Sequence, residues 1–289
     1  MKRKILFVIL FFAAILVAFT LQPPPSEENI SPPKVQAASS FEGVDEKFDS
    51  ILNDGTEYAV YLTYPQKSPE KFIRNSKQMR SASMIKVFIL AAVMEKVQSG
   101  EISLDESIIL KSSDKVGGAG ILVGYQTGSE IPLRKILKLM ITHSDNTATN
   151  IVIDRVGMSA VNEYISRNGY ADTILQRKMM DFNGLENYSS VRDLGEIFLK
   201  IYRHNCVSEE LDEMMIDFLK QQTDTDCFPS ALPGKTIAHK TGALVGLYDD
   251  GGIIYNGEGD AVLVIMTENF TSEYTAIQRM KTFARAVVD

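Results

Sequence analysis

Three short strings in the sequence carry side chains that could perform acyl transfer together. They are, in chain order, Ser83-Met84-Ile85-Lys86, Ser144-Asp145-Asn146 and Lys240-Thr241-Gly242-Ala243. A serine hydroxyl is too weak an acid to attack a carbonyl unaided, but a neighbouring amine that is partly neutral can accept its proton. The strings therefore offer one nucleophile, two amines and a second hydroxyl for a single site.

The residues that follow Ser83 and Lys86 distinguish this pair from other Ser-x-x-Lys strings in the chain. Ser-x-x-Lys strings also begin at Ser31, Ser68 and Ser112, and ordinary residue usage gives about one by chance in a chain of this size. Only the string at Ser83 leads into an apolar run, residues 87–94, that is typical of a helix buried within a domain. Taken alone, this stretch also fits a serine that caps the helix and a lysine that extends past its neighbours to water.

The Ser-Asp-Asn and Lys-Thr-Gly strings favour a catalytic role for Ser83 and Lys86 over a structural one. A Ser-Asp-Asn or a Lys-Thr-Gly string should each occur by chance in roughly one chain in ten or fewer at this length. Ser83 and Lys86 share a helix face because they are three residues apart. We predict that burial and a second cation, Lys240, lower the pKa of Lys86 so that it can accept the Ser83 proton.

The remaining polar groups have expected roles around the nucleophile. We expect Ser144 to pass a proton to a departing amide nitrogen and Asn146 to hold a substrate amide. Lys240 and Thr241 would bind a substrate carboxylate. The backbone N–H group of Ala243, on a strand edge, would complete an oxyanion hole with that of the nucleophile.

The three strings resemble the signature of the penicillin-recognising serine enzymes, and most closely that of the class A β-lactamase family. Supporting strings are Gly118-Ala119-Gly120-Ile121-Leu122, the run from Leu139 to Asn150, and Asp154-Arg155-Val156-Gly157. The likeness covers roughly residues 41–289. It implies a two-lobed fold, acylation of Ser83 by a β-lactam or an acyl-peptide, and no metal or organic cofactor.

The sequence departs from this family at a position that matters for hydrolysis. Members that hydrolyse β-lactams quickly carry a Glu two residues after an Arg, with an Asn four residues further on, and that Glu activates the deacylating water. The corresponding run here has Arg177 and Asn183 in place, but Met179 occupies the Glu position. Asp181 or Glu186 could supply a substitute base, although an acid in a polar loop is more often a solvated surface group. Without a base, acylation could proceed while hydrolysis stalls.

Three functions follow from these features. The leading hypothesis is an exported serine hydrolase of the class A β-lactamase type that opens β-lactam rings through a Ser83 acyl-enzyme. A close alternative is a penicillin-binding enzyme that acts on D-alanyl peptides, as a carboxypeptidase or transpeptidase, and releases β-lactams slowly. A third is a non-catalytic module that binds a ligand on the same fold. We expect a monomer whose partner is a small-molecule β-lactam or a D-alanyl peptide.

The elements that must position these residues follow from hydrophobic periodicity. We predict helices over residues 41–52, 83–96, 104–109, 132–142, 145–157, 158–168, 190–204, 208–221 and 272–288, and strands over residues 57–64, 71–74, 236–243, 246–256 and 260–267. No strand pattern is visible in the middle of the chain. Strands at both ends with helices between them predict an α/β (α+β) fold, with one antiparallel sheet flanked by helices and an all-helical lobe beside it.

Composition and the N-terminal residues indicate which partners the chain can have and where it is located. The chain has 289 residues, is 45% hydrophobic and carries a formal net charge of −7, so it offers no basic footprint for nucleic acid. Residues 1–4 are basic apart from Met1 and residues 5–21 are uncharged, which is the order of an export signal. Residues 1–21 could be either a signal peptide that is cleaved or an anchor that is retained. We expect a Pro-rich linker over residues 22–40 and a catalytic domain over residues 41–289. Contact with a membrane is expected only through residues 5–21, and the domain is expected to be secreted or otherwise extracytoplasmic.

The histidines and cysteines point to structure rather than chemistry. His143 and His239 each precede a catalytic string, but neither has a partner at metal-ligand spacing, so we expect packing or supporting roles and no metal. The predicted helix between Cys206 and Cys227 would span about 21 Å. Because a disulfide needs a Cα separation of about 6 Å, we expect two free, buried thiols.

Overall fold

A computed structural model describes residues 41–182, 184–257 and 259–288. The expected export segment, 1–21, and linker, 22–40, lie outside these residues, so the domain boundaries remain a prediction. Across the described part of the chain, no helix has both the length and the apolar character needed to cross a membrane.

The described chain alternates short strands and helices in its first half and ends in three long strands and a helix. The strands are β1 Glu57–Thr63, β2 Phe72–Arg74, β3 Met79–Arg80, β4 Ser107–Ile109, β5 Glu130–Pro132, β6 Tyr188–Ser189, β7 Thr236–Leu244, β8 Leu247–Tyr255 and β9 Ala261–Glu268. The helices are α1 Val44–Ile51, α2 Ile85–Gln98, α3 Leu133–Thr142, α4 Asn146–Val156, α5 Met158–Arg167, α6 Val191–Tyr202, α7 Glu209–Lys220, α8 Phe228–Ala231 and α9 Glu273–Val288.

The main sheet joins the two ends of the described chain. Its five strands lie in the order β2-β1-β9-β8-β7 and every neighbouring pair is antiparallel. Residues 261–267 of the central strand β9 are all buried, as expected for a continuous apolar run covered on both faces. The predicted fold, an antiparallel sheet from both chain ends with helices around it, is confirmed.

The sheet separates two hydrophobic cores. Alternate residues of β1 contribute to different cores: Ala59 and Tyr61 belong to the core around α2, and Val60 and Leu62 to the core beneath α1, α8 and α9. This follows from the two-residue period of a strand. Helix α2 contacts α3, α4, α5 and α7, and residues 85–91 of α2 are completely buried. A buried helix therefore lies between the sheet and the helical lobe.

The prediction was wrong about the middle of the chain. Residues 107–109, expected at the end of a helix, form β4, which pairs with β5 through Ile108 and Ile131. Strand β6 pairs with β3. Strands of two or three residues are too short to show alternation, and their pairing partners are distant in sequence, so periodicity alone could not identify them.

Both cysteines are free, as expected. Cys227 is fully buried. Cys206, however, is only half-buried, because it lies in the loop between α6 and α7, where its sulfur is 3.3 Å from the Tyr164 hydroxyl. Burial raises the pKa of the Cys206 thiol to about 12, so the thiol stays protonated at neutral pH.

Candidate active site

Ser83 lies at the junction of the helical lobe and the sheet. It is the central residue of a single 3₁₀ turn, Ala82–Met84, that leads directly into α2. Ala82 has a φ of 41°, a left-handed conformation that is costly for a residue with a Cβ atom. Ser83 is not the N-cap of either helix, and Lys86 is fully buried rather than extended to water. The alternative of a capping serine and a solvated lysine is therefore excluded.

Lys86 is surrounded by oxygen atoms. Its Nζ lies 2.9 Å from Ser83 Oγ, 3.1 Å from Ser144 Oγ, 2.6 Å from the Ser144 carbonyl oxygen and 3.0 Å from Asn146 Oδ1. Burial, and then the positive charge of Lys240, hold the pKa of Lys86 well below its usual value, although Asp145 opposes them. This direction agrees with the sequence prediction. A neutral Lys86 can donate to two of these oxygens and accept a hydrogen bond from the Ser83 hydroxyl.

Ser144 is held by the residue that follows it. Ser144 has a φ of 51° in the connection between α3 and α4. Asp145 caps α4, with Oδ1 accepting a hydrogen bond from Ala148 N at 2.8 Å, and its Oδ2 accepts from the backbone N–H groups of Ile121 at 2.6 Å and Leu122 at 2.8 Å. Sequence analysis assigned no role to Asp145, although an Asp at the start of a helical pattern is a recognised capping signal.

Asn146 is close to the nucleophile but already bonded on both sides. Its Oδ1 accepts from Lys86 at 3.0 Å and its Nδ2 donates to the Gly117 carbonyl oxygen at 3.1 Å. To bind a substrate amide, as predicted, it would have to exchange one of these bonds. Its position in the cavity wall, beside Ser83, makes such an exchange possible.

Strand β7 brings the third string against the nucleophile turn. A Cβ on Gly242 would lie 3.2 Å from the Cβ of Ala82, so glycine permits this close approach. Lys240 Nζ lies 3.1 Å from Ser144 Oγ and donates to the Thr241 carbonyl oxygen at 2.7 Å. Burial lowers the pKa of Lys240 to about 7. Lys240 is therefore balanced between its charged and neutral forms near neutral pH.

A cavity of about 250 Å³ opens in front of Ser83. The residues that line it are Ala82, Ser83, Gly118, Ala119, Asn146, Arg177, Met179, Met180, Phe182, Glu186, Asn187, Ala243 and Leu244. Ser83 and Ala243 thus share this cavity, as the predicted oxyanion hole requires. Lys240 and Thr241 are buried, 0% and 5% exposed, and neither lines it, so the predicted contact of each with a substrate carboxylate lies beyond the cavity described here.

The loop opposite Ser83 is fixed by a residue that sequence analysis did not single out. Asn150, on α4, donates from Nδ2 to the Met179 carbonyl oxygen at 3.1 Å and accepts from Met179 N at 2.8 Å. Its position one turn after the Ser-Asp-Asn string on an amphipathic helix was the available signal. The Met179 side chain, only 7% exposed, consequently forms part of the cavity wall.

The three candidate deacylation residues differ in position. Glu186 lines the cavity, but its Oε2 accepts a hydrogen bond from Arg177 Nη2 at 2.9 Å. Asp181 is exposed and does not line the cavity. Asn183 lies outside the described residues. Of the acids considered, only Glu186 is therefore near Ser83, and it is already engaged in an ion pair.

The two histidines beside the strings have structural partners. His239 is buried and its Nδ1 lies 2.8 Å from Asp250 Oδ1, while the other oxygen of Asp250 accepts from Phe228 N at 3.0 Å. His143 Nδ1 lies 2.8 Å from Thr142 Oγ1. Within residues 41–182, 184–257 and 259–288, no group of three or more His, Cys, Asp or Glu residues is arranged to hold a metal ion.

Comparison with known proteins places this chain in a family. Residues 43–289 match the beta-lactamase enzyme family. The chain belongs to this family. Its alignment with the extended-spectrum beta-lactamase PER-1 of Pseudomonas aeruginosa is 26% identical over 172 residues, 55% of this chain and 56% of PER-1. The aligned part thus spans about half the length of that relative.

Several solved structures superpose over most of the chain. The beta-lactamase of Sphaerobacter thermophilus is 30% identical with a TM-score of 0.80, covering 85% of this chain and 95% of that one. PBP-A is 25% identical with a TM-score of 0.79, covering 86% of this chain and 94% of that one. A point mutant of PBP-A, solved as an acyl-enzyme complex with penicillin G, is equally similar, with 25% identity and a TM-score of 0.79. The likeness to the class A β-lactamase family expected from the three strings is confirmed.

Proposed function

We propose that this member of the beta-lactamase family is an extracytoplasmic serine enzyme that β-lactams acylate on Ser83 and that releases the acyl group slowly. The observation that carries the proposal is the 2.9 Å contact between Lys86 Nζ and Ser83 Oγ. Burial and the positive charge of Lys240 hold the pKa of Lys86 well below its usual value, which favours the neutral form of its amine. A neutral amine at this distance is a competent general base.

Acylation would begin with transfer of the Ser83 proton to Lys86 Nζ as the Ser83 oxygen bonds to the β-lactam carbonyl carbon. The carbonyl oxygen becomes an oxyanion, which the backbone N–H groups of Ser83 and Ala243 would stabilise. Both residues line the cavity in front of the nucleophile. One preorganised donor of this kind contributes about 10²–10³-fold to the rate in serine hydrolases.

Collapse of the tetrahedral intermediate needs a proton on the departing nitrogen. Ser144 Oγ lies 3.1 Å from both Lys86 Nζ and Lys240 Nζ. Ser144 would give its proton to the nitrogen as the carbon–nitrogen bond breaks, and would recover one from the ammonium of Lys86. The proton lost by Ser83 then resides, in effect, on the leaving nitrogen, and Lys86 is neutral again. Lys240 would attract the carboxylate that β-lactams carry on this leaving side.

Among the described residues, no comparable arrangement serves deacylation. Hydrolysis of an ester at Ser83 needs a base that can activate water in the cavity. Met179 occupies the wall where the family resemblance places a Glu, and the carboxylate of Glu186 is bonded to Arg177. An acyl group on Ser83 would therefore persist.

A second candidate function follows from the same missing base. An enzyme that passes its acyl group to an amine or works slowly on D-alanyl peptides does not need fast water activation. The likeness to PBP-A, of which a point mutant was solved as an acyl-enzyme complex with penicillin G, supports this alternative. The basic residues 1–4 and the uncharged residues 5–21 support an extracytoplasmic location, where such peptides occur.

The decisive experiment combines a chromogenic cephalosporin with intact-protein mass spectrometry. We expect a rapid burst of about one equivalent, a slow steady state, and a mass increase that peptide mapping assigns to Ser83. Ser83→Ala should give neither burst nor adduct. An adduct on Ser83→Ala would overturn the nucleophile, rapid turnover without an accumulated adduct would indicate an efficient β-lactamase, and binding without an adduct would indicate a non-catalytic module.

A further inference from the structure

Two polar side-chain oxygens next to the nucleophile turn, Ala82–Met84, are buried without a partner. Ser81 Oγ and Asp249 Oδ2 make no hydrogen bond to another protein group within the part of the chain that the structure describes. Both residues are completely buried. Because nearly all buried polar groups in folded proteins are bonded to protein or to ordered water, two such exceptions beside one catalytic turn call for a physical explanation.

The sheet places Asp249 beneath the same turn as Ser81. Asp249, on β8, is the register partner of Gly242 on β7, and paired residues of antiparallel strands share a face, with their Cβ atoms about 4.5–5.5 Å apart. A Cβ on Gly242 would lie 3.2 Å from the Ser81 carbonyl oxygen, and β8 itself contacts the turn. The Asp249 side chain therefore lies on the face of the sheet that meets the turn, one strand away from Ser81.

Only one oxygen of Asp249 has a structural task. Its Oδ1 accepts a hydrogen bond from Thr267 N at 2.9 Å. The paired residues of β8 and β9 end at Asp250 and Ile265, so this bond continues the connection between the two strands beyond their ladder. Oδ2 is not needed for that connection and is available for a second partner.

Asp249 and Ser81 are chemically suited to share a hydrogen-bonded link. Burial raises the pKa of the Asp249 carboxyl well above its usual value, and the Glu268 carboxylate adds to this, whereas the Thr267 N–H group and Arg80 oppose it. The shift favours the protonated carboxyl, which can donate as well as accept a hydrogen bond. The Ser81 hydroxyl can also do both.

The backbone of Ser81 already holds the turn on two sides. Its carbonyl oxygen accepts from Met84 N at 2.8 Å, and its N–H group donates to the Asn187 carbonyl oxygen at 2.9 Å. The turn carries Ser83, and β7 carries Ala243, whose N–H groups are the donors expected in the oxyanion hole. The separation of these two donors therefore depends on how the turn is held against β7 and β8.

We propose that one buried water molecule links Asp249 Oδ2 to Ser81 Oγ, and that this link positions the nucleophile turn against the strand edge that carries Ala243. Water commonly joins two polar atoms that lie too far apart for a direct hydrogen bond, and buried water typically bonds to otherwise unsatisfied groups. Ser81 and Asp249 are then positioning residues for acylation. The inference rests on the proposed function, because the link acts through the oxyanion hole for Ser83 acylation.

The test measures the effect of Ser81→Ala in two backgrounds. In the wild-type protein it should lower the melting temperature by about 2–4 °C and the limiting rate constant of the cephalosporin burst about tenfold, since small misplacements of reacting groups are costly. Asp249→Leu has nearly the same shape but no polar atom, so the link is already lost. In that background Ser81→Ala should change the melting temperature by less than about 1 °C and the rate constant by less than about twofold.

The kinetic readout distinguishes positioning from a general loss of structure. The cephalosporin concentration for half-maximal acylation should change less than about twofold in Ser81→Ala, because the oxyanion contacts strengthen only in the transition state. Asp249→Asn should rescue the Asp249→Leu defect to within about twofold of the wild-type rate constant, since its amide still accepts from Thr267 N and can donate to the linking water.

Tyr170→Phe is the matched control. The Tyr170 hydroxyl is likewise buried and unpartnered among the described residues, but Tyr170 lies in the loop after α5, where its ring packs on Phe88 with 5.0 Å between the ring centres, and it does not line the cavity. Removing this hydroxyl should leave acylation unchanged.

The outcomes separate the inference from the proposed function. Equal effects of Ser81→Ala in both backgrounds would overturn the link. A lower melting temperature with an unchanged rate constant would overturn the positioning role while acylation of Ser83 still stands. If the wild-type protein formed no adduct, the proposed function would be overturned and the positioning role with it, whereas the melting temperatures would still decide whether Ser81 and Asp249 are linked.

Discussion

Two walls face each other across the cavity, and they are built differently. On the wall that carries Ser83, the functional groups bind one another: Lys86 contacts both serines, and Lys240 contacts Ser144. On the opposite wall, Asn150 fixes the backbone of Met179, and the Arg177 and Glu186 side chains pair with each other. Under the proposed function the first wall would form the acyl-enzyme. On the second wall, Glu186 is the only acid among the described residues that lines the cavity, and it is paired with Arg177.

The largest effect should follow from removing the base on the first wall. Lys86→Met keeps a long side chain but no amine, so acylation of Ser83 should slow about 10³-fold, the usual contribution of a general base. Stopped-flow measurement of the cephalosporin burst checks this. Lys71→Met is the control, because Lys71 follows Ser68 at the same spacing but is paired with Glu196 at the surface.

If Lys86→Met acylated at the wild-type rate, the first wall would contain a different base. Thermal unfolding should be followed in parallel, because the substitution leaves the oxygens around a completely buried position without their donor. A folded Lys86→Met protein that still binds cephalosporin but acylates slowly would attribute the loss to chemistry.

The second prediction concerns a substitution that adds a base to the second wall. Met179→Glu would place a carboxylate in the cavity wall beside Ser83, where it can activate water, and should speed release of the acyl group about 10²-fold. Recovery of the unmodified mass after a single acylation measures it. The control is Met179→Gln, because a Gln side chain has nearly the same shape as Glu but cannot act as a base. If both variants accelerated release of the acyl group equally, the size or hydration of the residue at position 179 would limit release.

The difference between the walls also explains which parts of the molecule could be predicted from sequence. The helix after Ser83 has a long apolar run, and the strand that carries Lys240 belongs to a series of strand-like segments near the end of the chain, so both elements could be predicted. The three strings indicated that their polar residues converge. The contacts that fix the second wall could not be predicted. Asn150 and Arg177 act through backbone groups and pairs that depend on loop geometry, and the two-residue strands β3 and β6 are too short to leave a periodic pattern.

The third prediction concerns pH on the first wall. With a pKa of about 7, Lys240 is charged below this pH and loses its charge as the pH rises through it. Attraction for the substrate carboxylate should weaken accordingly. Between about pH 6 and about pH 9 we expect the cephalosporin concentration for half-maximal acylation to rise several-fold. Lys240→Arg, whose guanidinium stays charged, should remove this rise, and its persistence in that variant would assign it to another group.

The smallest effect on chemistry should come from Glu186, the acid on the second wall. Glu186→Gln leaves the buried Arg177 guanidinium without its counter-charge, so the free energy of unfolding should fall by about 1–2 kcal/mol, measured by urea denaturation. Asp154→Asn, which removes the exposed partner of Lys178 on the same loop, should cost about 0.5 kcal/mol or less. Release of the acyl group should change less than about twofold in both variants, because the Glu186 carboxylate is already engaged in an ion pair with Arg177. A tenfold slower release in Glu186→Gln alone would make Glu186 the deacylating base and remove the distinction between the two walls.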